Sequence, residues 1–339
     1  MLRLSRREED FESLHSLQDK AYFNQLVMSV RNCDSEGLPM LLRNYPDKYI
    51  PVNKMAQLLG EVTCPRPLSV LLDYMDDISQ SEREYYPQYV LLSYIEKKYY
   101  NTNTIQLVLY GFRKGITGTN ISNILSSLLR AATQNKDFLV VDIILDEFNV
   151  PPEEYSYFFD LTLIVLAHKD DFETFKYVVE KYNINLKELS IHEPDSILIL
   201  LCPIINDNPE MLKYVLDKGI RGLDKKVFYD IFHFAVKKDD YSIIDSLYNR
   251  DKDNLMVLLD LAAEYKFFDI ITYLIDKYDI DLSKYGGRNN NILRTIFHVA
   301  VSNNRKDIID LFIEHGYDYK PEELVDTYSE KDIKRITIR

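Results

Sequence analysis

The chain has 339 residues, 46% of them hydrophobic and 28% charged, a balance that excludes an intrinsically disordered protein. No apolar run approaches the roughly 18 residues that span a bilayer, and the polar first twenty residues lack a signal-peptide core, so a soluble, intracellular protein is expected. The formal net charge of -13 is dispersed along the chain, which disfavours nucleic acid and anionic membranes, suits a basic protein partner and keeps the chain in solution.

Taken from the N-terminus, residues 1–20 crowd Arg3, Arg6, Arg7, Glu8, Glu9 and Asp10 together and read as a polar leader or capping helix. Over 21–120, the apolar runs Leu38–Leu42, Leu68–Leu72 and Ile105–Leu109 recur about one helical repeat apart and predict three divergent helical repeats. The tyrosines from Tyr85 to Tyr100 fall in this region. Tyr89 and the Val90 run have the spacing of a helix core, which favours packing over an interface. The glycine group Gly111, Gly115 and Gly118 reads as an inter-repeat turn with Arg113 and Lys114 on it.

Over 121–320 the pattern sharpens. Small or apolar anchors stand at Ala131, Ala167, Leu201, Ala235, Ala262 and Ala300, each followed by a short polar stretch and a second apolar run, such as Ile270–Ile275 and Ile308–Ile313. Apolar residues at i, i+3 and i+4 predict one buried helical face, so each unit reads as two short antiparallel helices. Asn149, Asn183, Gly219, Asp279 and Gly316 end the second helices, and all are types that accept left-handed backbone. Asn135, Asp170, Asp239 and Asn304 mark the turns inside the units. Residues 321–339 read as a polar C-terminal cap. The predicted fold is all-α, a helical-pair solenoid of about nine pairs forming a single elongated domain.

Thr295-Ile-Phe-His298-Val-Ala300 followed by Asp307-Ile-Ile-Asp-Leu-Phe-Ile-Glu-His-Gly316 resembles the ankyrin repeat, with its T-P-L-H-x-A box and its second helix ending in His-Gly. Asp230–Ala235 and Thr162–Ala167 keep parts of the box. The box proline and the Asp-x-x-Gly hairpin are missing, which puts projecting β-hairpin fingers in doubt. With 26 tyrosines, 16 phenylalanines, no tryptophan and abundant Asn, Ile and Lys, the array is similar to diverged ankyrin arrays of large DNA viruses and of intracellular parasites or bacteria.

Chemistry is not written in the motifs. The glycine group lacks the Gly-Lys-Ser/Thr ending of a phosphate loop. His233 and His298 occupy the box position, where the resemblance implies hydrogen bonding to backbone. His15, His168, His192 and His315 are isolated, and none pairs with cysteine at zinc-ligand spacing. Cys33, Cys64 and Cys202 lie far apart, and their odd number predicts reduced thiols. Asp76-Asp77, Asp170-Asp171 and Asp239-Asp240 read as solvated caps at polar turns. No catalytic residue, metal, cofactor or small-molecule substrate is therefore expected. The resemblance implies a protein-binding scaffold, a factor acting on host proteins if viral or parasitic, with a structural part in a virion or large assembly as the alternative. The first helices and preceding turns would face the partner. The expected contact residues lie on the variable inter-repeat segments: Glu153, Tyr155 and Tyr157; His192 and Asp195; Lys225 and Lys226; Tyr285, Arg288 and Asn289.

Overall fold

Left-handed backbone at repeated intervals sets the course of the chain. The computed structural model describes residues 19–34, 36–81, 85–100, 104–115, 121–189, 198–219, 225–250, 254–286 and 290–320. Among these, Cys33, Lys98, Lys136, Asp170, Asp207, Asp239, Lys266 and Asn304 all have positive φ and all stand where one helix reverses into the next. The reversal is a Schellman closure. Phe267 N donates to the Ala262 carbonyl at 2.7 Å and Lys266 N to that of Ala263 at 3.0 Å, and Arg305 and Asn304 repeat this on Ala300 and Val301. The following residue often caps the next helix: Asp137, Asp171 and Asn208 accept from the backbone N–H three residues on, at 3.3, 3.3 and 2.9 Å. The pair Asp170-Asp171 is thus one left-handed residue and one cap, as is Asp239-Asp240, where Asp240 accepts from Ser242 N at 3.0 Å.

The chain divides into two compact units, Met1–Asn185 and Leu186–Arg339. In the first, a helix through residues 19–31 (α1) pairs with α2 (Gly37–Arg43), α3 (Val52–Gly60) with α4 (Pro65–Ser81), and α5 (Tyr86–Glu96) with α6 (Ile105–Gly115). Next, α7 (Ile121–Gln134) pairs with α8 (Phe138–Glu147), and α9 (Tyr155–His168) with α10 (Phe172–Lys181). The second unit opens on the short α11 (Leu186–Leu189). It continues with α12 (Leu198–Ile205) and α13 (Pro209–Asp217), α14 (Lys225–Lys238) and α15 (Tyr241–Arg250), α16 (Asn254–Glu264) and α17 (Phe268–Tyr278), and α18 (Asn291–Ser302) and α19 (Lys306–Glu314). Within each unit, first helices pack on first helices and second on second, as α5 on α7 on α9 and α13 on α15. This is the stacking of an all-α repeat array, with nine pairs among the described residues.

No strand occurs among the described residues. The 3-10 turns Pro152–Glu154 and Leu282–Tyr285 and the short α11 stand between pairs instead. No helix there is long and apolar enough to cross a membrane. The five residues expected to end second helices, Asn149, Asn183, Gly219, Asp279 and Gly316, all have positive φ.

Several expectations need correction. The N-terminal apolar runs at Leu38, Leu68 and Ile105 have the repeat spacing but lie in second helices, α2, α4 and α6. Taking the left-handed residue as the fixed point moves the anchors to Ala132, Leu166 and Pro203, because those carbonyls accept the closing bonds from Asp137, Asp171 and Asn208. In the same turn it is Lys136, not Asn135, that has positive φ. Asp76-Asp77 lies inside α4. Gly111 and Gly115 lie in α6, not a turn, and a Cβ at Gly111 would meet Leu72 Cδ1 at 2.7 Å, so glycine lets α6 approach α4. Gly118 and the polar segments 1–18 and 321–339 lie outside the described residues. Cys33 and Cys64 are joined in a disulfide, not separate thiols. They are 31 residues apart, about one repeat, and stacking brings residues one period apart side by side. Cys202 is buried, which pushes its thiol pKa up.

Neighbouring pairs are also tied by polar bonds that recur at equivalent places. On the second helices, Lys181 Nζ and Tyr182 OH reach Asp142 at 2.7 and 2.9 Å. Lys277, Tyr278 and Tyr273 converge on Asp245 in the same way, the two hydroxyls at 2.7 and 2.8 Å. At the turns, Tyr100 OH donates to Asp137 at 3.0 Å and Lys136 pairs with Asp171 at 3.1 Å. His315 is not isolated: its Nδ1 lies 3.1 Å from the Ile280 carbonyl, and its own carbonyl accepts from Leu282 N at 2.8 Å. Burial pushes the Asp245 carboxyl up, but hydrogen bonds from Lys277, Tyr278 and Tyr273 outweigh it and hold the pKa below the ordinary carboxylate value.

Two outcomes are expected. Lys266→Gly should raise the urea midpoint by relieving left-handed backbone and Lys266→Val should lower it, the two variants differing by about 1–2 kcal/mol. Because the folded pKa of Asp245 is depressed, its stabilisation is present above the unfolded carboxylate value near ~4 and is lost as pH falls through the folded value. Urea melts from pH ~6 to ~3 should therefore lose stability more steeply in the parent chain than in Asp245→Asn.

Candidate functional site

Once each pair is aligned on its left-handed residue, the first helices present one outward position in common. Nine residues upstream lie Tyr89, Ser127 and Leu161 in the first unit, and Leu198, Asp230, Val257 and Thr295 in the second. This is the position of the box threonine. A helix side chain there points away from the partner helix, whose contacts are made by residues such as Leu163 and Leu166 on the opposite face.

In the first unit this row is polar at Asn24 on α1 and Ser127 on α7, and apolar and open on α5 and α9. Tyr85 is 44% exposed, Tyr89 59%, Tyr157 54% and Leu161 45%, although tyrosines one or a few residues away, Tyr86 and Tyr94, are buried to 2% and 0%. Tyr85 and Tyr89 are four residues apart, as are Tyr157 and Leu161, so each pair shares one side of its helix. Helix α7 stands between α5 and α9 and contributes Ser127 and Arg130, the latter 3.9 Å from Glu96. Helix α9 is apolar nearly all round, with Phe158, Phe159 and Leu163 inward and Tyr157 and Leu161 outward. An apolar helix with one bare side is a surface that a partner can cover.

In the second unit's row, Asp230 is half-buried, Thr295 and His298 are exposed, and Leu198 on α12 and Val257 on α16 are its apolar members. His233 differs from expectation. Its ring sits among Tyr229, Tyr265 and Phe267, with centroids at 4.3, 4.6 and 6.1 Å, and Nε2 is buried without a hydrogen-bond partner. Beside it, Tyr229 OH donates to Tyr265 OH at 2.6 Å.

The expected contact residues are divided between the two units. In the first unit, Glu153 is exposed on the 3-10 turn before α9 and Tyr157 is exposed on α9 itself. Tyr155 between them is half-buried and packs edge-on against Phe159 and Tyr182 at 6.4 and 6.0 Å, where burial raises its pKa. In the second unit, Lys225 and Lys226 begin α14, with Lys226 exposed, and Tyr285 is 37% exposed at the end of its 3-10 turn. His192, Asp195, Arg288 and Asn289 lie outside the described residues. Tyr89 had been placed in the core by its spacing and is instead an outward residue; Leu161 was missed because it sits inside a helix rather than on a variable segment.

Among the described residues no group of three or more His, Cys, Asp or Glu side chains could hold a metal ion. Residues 232–323 match the family model described as ankyrin repeats, three copies, a span that begins in α14 and takes in the pairs α16/α17 and α18/α19. No curated protein and no solved structure matches the chain.

Replacing an outward tyrosine should barely move stability. Tyr89→Ala is expected to shift the unfolding free energy by less than about 0.5 kcal/mol, whereas Tyr94→Ala should cost about 3 kcal/mol or more, both measured by urea denaturation.

Proposed function

We propose that this chain, in which residues 232–323 are ankyrin repeats, is a non-catalytic scaffold that binds a protein partner through the outward row of its first helices. Ankyrin repeats are as a class protein–protein interaction modules and typically non-catalytic, because the repeated residues serve packing and leave the exposed positions to vary. The observation that carries the reading is the apolar row Tyr85, Tyr89, Tyr157 and Leu161 on α5 and α9, left open while Tyr86, Leu91, Tyr94, Phe158, Phe159 and Leu163 of the same helices are buried. Tyrosine suits such a surface, since it offers a large rigid face and a polar tip at small entropic cost. The exposed Glu153 beside Tyr157 and the net charge of -13 favour a partner with a basic rim around an apolar centre. The inter-repeat segments carrying Tyr285, Lys225 and Lys226 would add contacts in the second unit. The residue usage of an AT-rich genome supports a role for a viral or parasite protein on host targets.

The test is affinity capture with the intact chain from lysate of its native cell or host, quantified by mass spectrometry, against the triple variant Tyr89→Ser, Tyr157→Ser, Leu161→Ser. One dominant protein should be captured by the parent chain and depleted at least about tenfold with the variant, whose thermal melt stays close to the parent's. Equal capture by both chains would refute the face. Recovery only as a fixed-ratio component of a large particle would replace the scaffold with a structural part.

A further inference from the structure

On the second-helix side of the first unit lies a cleft of about 520 Å³ walled by α4 and α6 and bounded by Pro87 and Gln88 at the start of α5. Its origin is local. Helix α4 has 17 residues where the second helices α2, α6 and α17 have 7, 11 and 11, and it lines the cleft from Pro65 to Ser79. Gly111 lies at the close contact of α6 with Leu72 and Leu68, and the cleft opens beside that contact.

The chemistry of the lining is one-sided. Leu68, Met75 and Phe112 are buried and give an apolar floor, and Tyr110 stands 47% exposed at the rim. Over that floor sit the exposed carboxylates of Asp73 and Asp76, the latter accepting from Gln80 Nε2 at 2.8 Å. Gln88 Oε1 is buried without a hydrogen-bond partner among the described residues, and a buried acceptor without a donor is costly. Among the described residues no lysine or arginine lines the cleft. An occupant that satisfies these groups brings an aliphatic stem for the floor, positive charge for the carboxylates and several N–H donors. An arginine side chain has all three, and its planar guanidinium can also stack on the Tyr110 ring.

We propose that the α4/α6 cleft is a second docking site, one that receives an arginine side chain from a basic segment of a protein partner. The site rests on the reading of the chain as a protein-binding scaffold, but its walls are the second helices α4 and α6, with only Pro87 and Gln88 of α5 at its edge and neither Tyr89 nor Leu161 in its lining. The acidic chain as a whole would speed the approach of such a segment at low salt.

The probes are N-acetyl-arginine amide, the peptide acetyl-Leu-Arg-Arg-Leu-amide and, as apolar control, N-acetyl-norleucine amide, each titrated into the full chain carrying labelled Met and Leu methyl groups. Saturable shifts at Met75 and Leu72 are expected with both arginine probes and not with the control. Asp73→Asn/Asp76→Asn, nearly isosteric, should weaken binding at least about tenfold with the methyl spectrum otherwise preserved. Tyr89→Ser/Leu161→Ser should leave the cleft shifts unchanged, so failure of the first-helix row and failure of the cleft are separately visible. Absence of saturation, equal binding of the norleucine control, or shifts indifferent to the Asp→Asn pair would overturn the proposal. So would a concentration-dependent dimer, measured by sedimentation, that the same pair abolishes, since the occupant would then be a second copy of the chain.

Discussion

Eight of the nine described helix pairs, all but α3/α4, are closed by a residue held in left-handed backbone, and the spacing of everything else in them follows from that closure. At Lys136, Asp170, Asp207, Asp239, Lys266 and Asn304 the φ of an ordinary L-residue is positive, a conformation that glycine adopts freely and other residues at a cost. The cost is tolerated because the reversal satisfies the last carbonyls of the first helix and turns the second helix back on it. The carbonyl that accepts the closing bond belongs to Ala235, Ala262 or Ala300 in the clearest repeats, and the donor is the residue just after the left-handed one, Asp240, Phe267 or Arg305. A small side chain at that point lets the helices approach, and the apolar faces beyond it are buried almost completely.

A stack built this way depends on neighbours, since no single pair has enough apolar surface to fold alone. Polar couplings then add direction to the apolar packing. Asp142 and Asp245 each gather a lysine and a tyrosine from the next pair, and the turn residues Asp137 and Asp171 take Tyr100 and Lys136. The Cys33–Cys64 disulfide links consecutive pairs in the same sense, and the His315 ring against the Ile280 carbonyl links the last two described pairs. These acidic residues count towards the net charge of -13, yet they are occupied within the fold and are not available to a partner. Asp73, at the mouth of the α4/α6 cleft, lies outside those couplings.

The outward position of the first helices shows how one architecture carries different surfaces. In the first unit it holds Asn24, Tyr89, Ser127 and Leu161 and is apolar on α5 and α9; in the second it holds Leu198, Asp230, Val257 and Thr295 and is apolar on α12 and α16. Packing does not constrain these positions, so they can diverge without cost to stability. The second helices of adjacent pairs pack on one another, and beside the close contact of α4 with α6 at Gly111 a cleft remains.

The sequence by itself determined the repeat, the helix pairs, the five chain reversals from Asn149 to Gly316 and the ankyrin character of the C-terminal part. All of these are local: periodic apolar residues and turn-forming residue types act within about ten positions of one another. Only the tertiary structure decided which side of each helix is bare. Tyr86 and Tyr89 lie on the same helix, three residues apart, and nothing in residue type separates the buried one from the exposed one; the neighbouring pairs cover one and leave the other. The same holds for Cys33 and Cys64, joined only because stacking sets equivalent residues side by side, and for Gly111, whose role is visible only against Leu72. The division at Asn185 also passes through a repeat pattern that continues unbroken in sequence. Contacts between pairs are non-local, and a one-dimensional pattern records their period but not their partners.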